Sequence, residues 1–213
     1  MINFAIILIY IFSIFLISIV FKKFNQDRKE IFRKIIHIGL GPLILIAKFL
    51  EISQNSALIY TGIVSIMVLI NYIYKIFPTI EDIERKSFGT FFYCLSLFIL
   101  ISLFWNKDPY SLITGFFIMT FGDGLAGLVG KSFNSKNWIF FKQKKSLFGT
   151  LTMFLTSLIV VCSTGYAQQN SFSLNYFTIA FIATVLEQLS FFGIDNFIVP
   201  ISSALFFNFF VTN

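Results

Sequence analysis

The chain has 213 residues, 57% of them hydrophobic and only 12% charged, whereas soluble domains average about 45–50% apolar and 25% charged. Its net charge is +6, but the Lys and Arg residues stand in short clusters between apolar runs, a pattern that fits membrane topology better than nucleic-acid binding. The two cysteines, Cys94 and Cys162, lie inside apolar runs with no CxxC pair, so neither a disulfide framework nor a zinc site is indicated.

The first apolar run, Phe4–Phe21, has no basic stretch before it and Lys22-Lys23 after it. Without a small-residue cleavage site it is predicted to be a retained span rather than a signal peptide. Seven further segments follow: Ile35–Leu50, Ala57–Phe77, Phe88–Trp105, Tyr110–Val129, Leu147–Ser163, Leu174–Phe192 and Phe197–Val211. Each is near the roughly 20 residues that cross a bilayer, allowing for tilt. Backbone amides in lipid must be satisfied within their own segment, so all are predicted helices. The predicted fold is an all-α polytopic transmembrane bundle of about seven to eight spans, forming one integral membrane domain over residues 1–213.

With the N-terminus outside, the loops Lys22–Lys34, Lys75–Ser87 and Lys131–Ser146 share one side and hold fourteen of the 16 Lys and Arg. Lys48 and Lys107 fall opposite. The positive-inside rule makes the basic side cytoplasmic and puts Gly193–Asn196 there too. Two span beginnings on that side resemble each other: Arg85-Lys86-Ser87-Phe88-Gly89-Thr90 and Lys144-Lys145-Ser146-Leu147-Phe148-Gly149-Thr150. This is either an internal duplication of the kind that builds central sites in membrane proteins or a chance match.

The first motif, Arg33-Lys34-Ile-Ile-His37-Ile-Gly-Leu-Gly41-Pro42, opens the second segment. Helical spacing puts Arg33, Lys34 and His37 at neighbouring positions on one face, a cationic fork suited to phosphate. A lone histidine is usually structural, but this one lies beside two cations.

The second motif is Phe121-Gly122-Asp123-Gly124-Leu-Ala-Gly127-Leu-Val-Gly130, followed by Lys144-Lys145-Ser146 and Gly149-Thr150. An acid inside a span is expensive, which makes Asp123 a functional candidate. Gly122, Gly124 and Gly127 leave room for phosphates to approach backbone amides, or serve as small residues for helix packing. Asp123 offers the hard oxygen that Mg²⁺ prefers when it bridges a nucleotide's phosphates. Lys144 and Lys145 can neutralise phosphate charge, and Ser146, Gly149 and Thr150 stand at a helix N-terminus, which favours anions.

The third motif is Glu187-Gln188 near the end of the seventh segment, then Gly193-Ile-Asp195-Asn196 leading to Pro200. Glu187 is a second carboxylate in an apolar helix and must be paired, protonated or bound to metal. Asp195 and Asn196 belong either to the site or to a helix cap. No GxxxxGK[ST] occurs, so phosphoryl transfer would use a membrane-embedded site rather than a soluble P-loop.

Together the three motifs resemble the polyprenol kinases, a family that includes phytol, dolichol and farnesol kinases and uses CTP as phosphoryl donor. The match rests on Arg33-Lys34-x-x-His37 with Gly41, on Gly122-Asp123-x-x-Ala126-x-x-x-Gly130 with Lys144-Lys145-Ser146-x-x-Gly149-Thr150, and on Glu187 with Asp195-Asn196-x-x-x-Pro200. The short chain is similar to the compact phytol kinase type, which implies phytol, geranylgeraniol or a similar alcohol as substrate. The resemblance implies catalysis by Asp123, Glu187 and His37 and Mg²⁺ held by Asp123, Glu187 and Asp195. It implies nucleotide contacts from Arg33, Lys34, Gly122, Gly124, Gly127, Gly130, Lys144, Lys145, Ser146, Gly149, Thr150, Asp195 and Asn196. The loop between Lys131 and Gln143 departs from the family in carrying no glycine.

Two other readings compete. Phosphatidate cytidylyltransferases share a related Gly-Asp followed by Lys-Lys, but their expected basic signature near the C-terminus is missing, since no Lys or Arg follows Lys145. A transporter would use Asp123 and Glu187 to carry ions, and the basic Ser-x-Gly-Thr beginnings speak against it. The expected partners are the bilayer, the alcohol and the nucleotide, with no nucleic acid.

Overall fold

The computed structural model describes residues 2–24, 29–75, 88–140, 143–169, 171–189 and 191–212. Most of the predicted loop 75–87, residues 25–28 of the first loop and the Arg85-Lys86-Ser87 half of the internal resemblance lie outside the described residues.

The described chain is helical almost throughout. Its elements run α1 Ile2–Phe24, α2 Lys29–Gly39, α3 Leu43–Phe49, α4 Gln54–Tyr74, α5 Gly89–Phe104 and α6 Pro109–Phe117. A π-helical turn, Ile118–Asp123, joins α6 to α7, Gly124–Ser132. A hairpin of β1 Asn137–Phe140 and β2 Gln143–Ser146 then leads to α8 Leu147–Gln169, α9 Asn175–Gln188 and α10 Asp195–Phe207. Five stretches are long and apolar enough to cross a membrane: Asn3–Phe21, Gln54–Tyr74, Pro109–Ser132, Leu147–Gln169 and Asp195–Thr212. Gly89–Phe104 is apolar but shorter. The protein is an all-α membrane bundle.

Two of the predicted segments take a different form. The second is broken into α2 and α3 because Pro42, which has no N–H to donate, stands just before α3. The break is pressed against the π turn, since a Cβ on Gly41 would lie 2.7 Å from Thr120 Cγ2. The seventh is a helix of only 14 residues, α9. The basic stretch read as a loop also contains the antiparallel hairpin, with Trp138 opposite Lys145 and Ile139 opposite Lys144.

Local chemistry marks the helix beginnings. Ser53 caps α4 by accepting from Ser56 N at 3.3 Å. Asp108 caps α6 by accepting from Ser111 N at 3.3 Å, with Pro109 in the first turn, where a missing N–H costs nothing.

The centre of the bundle is formed by α5, α6, α8, α9 and α10. One buried cluster joins Leu100, Ile101 and Phe104 to Leu112 and Phe116, and a second joins Met153 and Val161 to Tyr176, Ile179 and Phe207. Lipid tails are as apolar as these side chains, so close backbone approach matters more than burial from water. A Cβ on Gly115 would lie 2.3 Å from Pro200 O, so only glycine lets α6 cross α10 there. By contrast α1 and α4 are peripheral, exposing Leu8, Ile9, Phe12, Ile59 and Ile63. The α5, α8 and α10 beginnings, the α7 and α9 ends and the middle of α2 meet at one end of the bundle, where the three motifs converge.

Candidate functional site

Asp123 closes the π turn. Such turns add a residue to the helical ladder and are frequent at functional sites. Across from it on α2, Lys34 Nζ donates to Asp123 Oδ2 at 2.7 Å and to the Asp123 carbonyl at 3.0 Å. His37 lies one turn further along α2, its Nε2 3.4 Å from Asp123 Oδ2 and 3.2 Å from the Met119 carbonyl. A carbonyl only accepts, so Nε2 carries the hydrogen in that contact. Small residues on α7 make this approach possible. A Cβ on Gly124 would lie 2.4 Å from Ile38 Cγ1, and one on Gly127 would lie 2.7 Å from Lys34 Cε. Gly122 packs the same way against Met153 Sδ, at 2.7 Å.

The hairpin brings the second cation. Lys145 on β2 forms an ion pair with Glu187 Oε1 and donates to the Glu187 carbonyl at 2.9 Å. Gln188 Nε2 donates to Glu187 Oε2 at 3.0 Å and to Thr150 Oγ1 at 3.3 Å, while Trp138 Nε1 donates to Gln188 Oε1 at 3.3 Å. Ser146 caps α8, its Oγ accepting from Gly149 N at 3.1 Å. Gly130 and Gly149 lie face to face, so that a Cβ on Gly130 would sit 3.3 Å from Gly149 Cα and 2.6 Å from Ser146 Oγ. Lys144 points away from this pair, is exposed, and has no carboxylate partner among the described residues.

The third carboxylate, Asp195, begins α10 but caps nothing, since the cap position is Ile194 and no side-chain cap bond forms. Its Oδ1 is buried without a hydrogen-bond partner, and so is Asn196 Oδ1. Asn196 Nδ2 donates to the Gly89 carbonyl at 3.0 Å. One oxygen each of Asp123, Glu187 and Asp195 lie within 4.8 Å of one another. At such spacing each pair of ionised carboxylates repels by about 3–4 kcal/mol at a typical protein dielectric. Lys34 and Lys145 answer two of the three charges. A divalent cation taking hard oxygen ligands fits the remainder, since Asp195 carries a buried oxygen with no hydrogen-bond partner.

These groups line one end of a cavity of about 1600 Å³, larger than the roughly 300–1,000 Å³ of ordinary small-molecule pockets. Its polar end holds Arg33, Lys34, His37, Asp123, Lys144, Lys145, Glu187, Asp195 and Asn196. The rest is apolar, walled by α1, α3, α4 and α5 through residues such as Ile7, Ile44, Tyr60, Leu97 and Trp105. Gly127, Gly130, Gly149, Ser146 and Thr150 also line the cavity, whereas Gly122 and Gly124 do not.

The residues singled out in the three sequence motifs therefore stand at one end of the fold. Two residues outside the motifs, Tyr93 and Trp138, adjoin them, together with Gln188 of the third motif. The Tyr93 ring lies tilted against the His37 ring, centres 4.5 Å apart, and its hydroxyl donates to the His37 carbonyl at 3.2 Å and contacts Thr120 Oγ1 at 3.3 Å. Gln188 holds Glu187, and Trp138 holds Gln188. Gln188 had a signal, being a polar residue beside an acid in an apolar run, but Tyr93 and Trp138 are two aromatics among many.

Known proteins give a concordant result. The chain is 34% identical over 204 residues to a phytol kinase of Synechocystis sp., covering 92% of this chain and 86% of that protein. It is 27% identical over 147 residues to probable phytol kinase 2, chloroplastic, of Glycine max, covering 66% of this chain and 49% of that one. It is 25% identical over 200 residues to probable phytol kinase 1, chloroplastic, of Oryza sativa subsp. japonica, covering 81% and 62%. No family model and no solved structure matches the chain.

Proposed function

The chain belongs to the polyprenol kinase family, and from that premise we propose that it transfers the γ-phosphoryl group of CTP to the hydroxyl of phytol, geranylgeraniol or a similar isoprenoid alcohol. The reaction leaves the alkyl monophosphate and CDP. The observation that carries this reading is the pairing of a three-carboxylate, two-lysine cluster with an apolar cavity of about 1600 Å³. An amphiphilic alcohol needs its hydroxyl at such a cluster and its tail in such a cavity. The size leaves space for a nucleotide beside the tail.

Asp123, Glu187 and Asp195 would hold Mg²⁺, which when bound supplies positive charge to the phosphates. Phosphoryl transfer is mostly positioning and charge stabilisation. Arg33, Lys144 and Lys145 at the cavity's polar end hold the phosphates, Lys144 having no carboxylate partner among the described residues. Lys34 and His37 fix the Asp123 carboxylate between them. The alcohol oxygen bonds to the γ-phosphorus as the bond to the β–γ bridging oxygen breaks, and the hydroxyl proton passes to a carboxylate of the cluster. In this reading the polar end faces the cytoplasm, where CTP is available, and the positive-inside rule applied to the basic loops supports that side.

The test is purified protein offered phytol, geranylgeraniol, farnesol, dolichol and diacylglycerol, each with CTP, ATP, GTP and UTP. Alkyl phosphate and CDP in equal amounts are expected from CTP with the twenty-carbon alcohols. Release of pyrophosphate would make the protein a cytidylyltransferase, and preference for diacylglycerol a different lipid kinase.

A further inference from the structure

We infer that the closed apolar end of the cavity, floored by Ala47, Ile52, Ile101 and Trp105, measures the prenyl tail and so selects alcohols by length. The inference rests on the kinase reading above, because it assigns the tail to this cavity.

The floor is closed by protein. Ile101 is 2% exposed and Trp105 3%, with Ile52 and Ala47 also buried. Behind it, polar side chains tie four helices together. Lys48 Nζ donates to the Trp105 carbonyl at 2.6 Å and stands 4.6 Å from the centre of a Trp105 ring. Gln54 Nε2 donates to the carbonyls of Ile101 at 3.0 Å and Ser102 at 3.2 Å. Asn106 Nδ2 donates to Gln54 Oε1 at 2.8 Å, and Asn3 Nδ2 to the Leu50 carbonyl at 2.9 Å. These bonds link α1, the end of α3, the start of α4 and the end of α5, so a tail cannot pass straight through. At the same depth Phe4 of α1 meets Tyr60 of α4, ring centres 4.9 Å apart, which narrows the gap between those helices beside the floor.

The distance to this floor matches a particular tail. Thr90 of α5 lines the polar end and Trp105 the floor. Fifteen residues at about 1.5 Å each separate them by roughly 22 Å. Carbon–carbon bonds of about 1.5 Å advance a zigzag chain by about 1.25 Å each, so the sixteen-carbon backbone of phytol or geranylgeraniol spans roughly 19 Å. Farnesol's twelve-carbon backbone spans roughly 14 Å on the same basis and stops short, while a dolichol is several times too long.

The experiment measures kcat/KM of the full-length protein with CTP for farnesol, geranylgeraniol, phytol and a polyprenol of ten isoprene units. The wild type is expected to favour the twenty-carbon alcohols over the long polyprenol by tenfold or more. Ala47→Phe raises the floor. Each methylene kept from burial costs about fourfold, so the twenty-carbon to farnesol ratio should fall by about tenfold or more. Trp105→Ala lowers the floor and should raise the relative efficiency of the long polyprenol. If Ala47→Phe shows no unfolding transition in detergent, Ala57→Leu narrows the same end from α4 and must give the same fall. A wild type that accepts the long polyprenol as well as phytol overturns the floor, as do ratios within twofold of wild type in the folded variants. A wild type that phosphorylates none of these alcohols overturns the kinase reading itself.

Discussion

Two aspartates stand at either end of one helical passage through the bundle, and their surroundings differ in kind. Asp108, just before α6, is 4% exposed. Its carboxylate is filled by neutral donors: Ser111 N at 3.3 Å, Ser111 Oγ, Asn208 Nδ2 at 2.9 Å and Thr212 Oγ1 at 2.8 Å. Burial pushes its pKa up, but these hydrogen bonds outweigh burial and hold the carboxyl below the usual aspartate range. Asp123 instead meets charge: Lys34, His37 and two further carboxylates. A buried acid saturated by neutral donors ties helix ends together. One that gathers cations and other acids is, in the proposed reading, arranged for a ligand that brings charge with it.

The sharpest way to break that contrast is Asp123→Asn. The side chain keeps its shape but loses its charge, and Glu187 and Asp195 remain within reach of the site's cations. Phytol phosphorylation should fall by about 10³-fold or more, in line with loss of a central electrostatic group, while the protein still melts cooperatively in detergent. Wild-type turnover by that variant would take Asp123 out of the site.

A smaller effect is expected at Asp195, whose Oδ1 has no protein partner. Asp195→Asn should raise the Mg²⁺ concentration for half-maximal activity by about 10–100-fold, as losses around metal sites do. A matching fall in Mn²⁺ binding, followed by spectroscopy without substrate, should accompany it. An unchanged metal requirement would leave the buried oxygen as a packing accident.

Asp108→Ala tests the other side of the comparison. Removing the cap and leaving its donors unanswered should cost about 1–3 kcal/mol of stability, read from unfolding in detergent. Turnover per folded molecule should stay within about twofold, because Asp108 lies at the end of the bundle away from the carboxylate cluster.

The sequence made the polar end more legible than the machinery around it. Apolar runs and clustered cations are compositional signals, and lipid leaves the backbone few choices, so the helical bundle could be read directly. Asp123 and Glu187 stood out because acids in apolar runs are costly. The Gly-rich stretch was ambiguous, as space for a ligand and space for a helix demand the same residue. The structure gives Gly122 and Gly124 to Met153 and Ile38. The hairpin could not be foreseen: its strands, NWIF and QKKS, are four residues each, too short for a period to show. Nor could the π turn, which depends on how α6 and α7 are held rather than on residue type. Tail length was illegible for the same reason, since the floor joins Ala47, Ile52, Ile101 and Trp105 from separate elements.

The smallest expected effect concerns acid. A carboxyl whose folded pKa is depressed contributes stability that is fully present above its unfolded value, about 3.9 for aspartate. That contribution is lost as pH falls through the lower folded value. Asp108 is such a group, and its four donors prefer the ionised form. Asp108→Asn keeps one acceptor oxygen but turns an N–H₂ toward donors, so it should be less stable than wild type near pH 6. Because wild type alone loses the carboxylate on acidification, the gap between the two melting temperatures should hold above about pH 4 and narrow as pH falls from there toward pH 2. A gap that stays constant over that range would mean that the donors hold the side chain by shape alone, and Asp108 would then differ from Asp123 in position rather than in how its charge is answered.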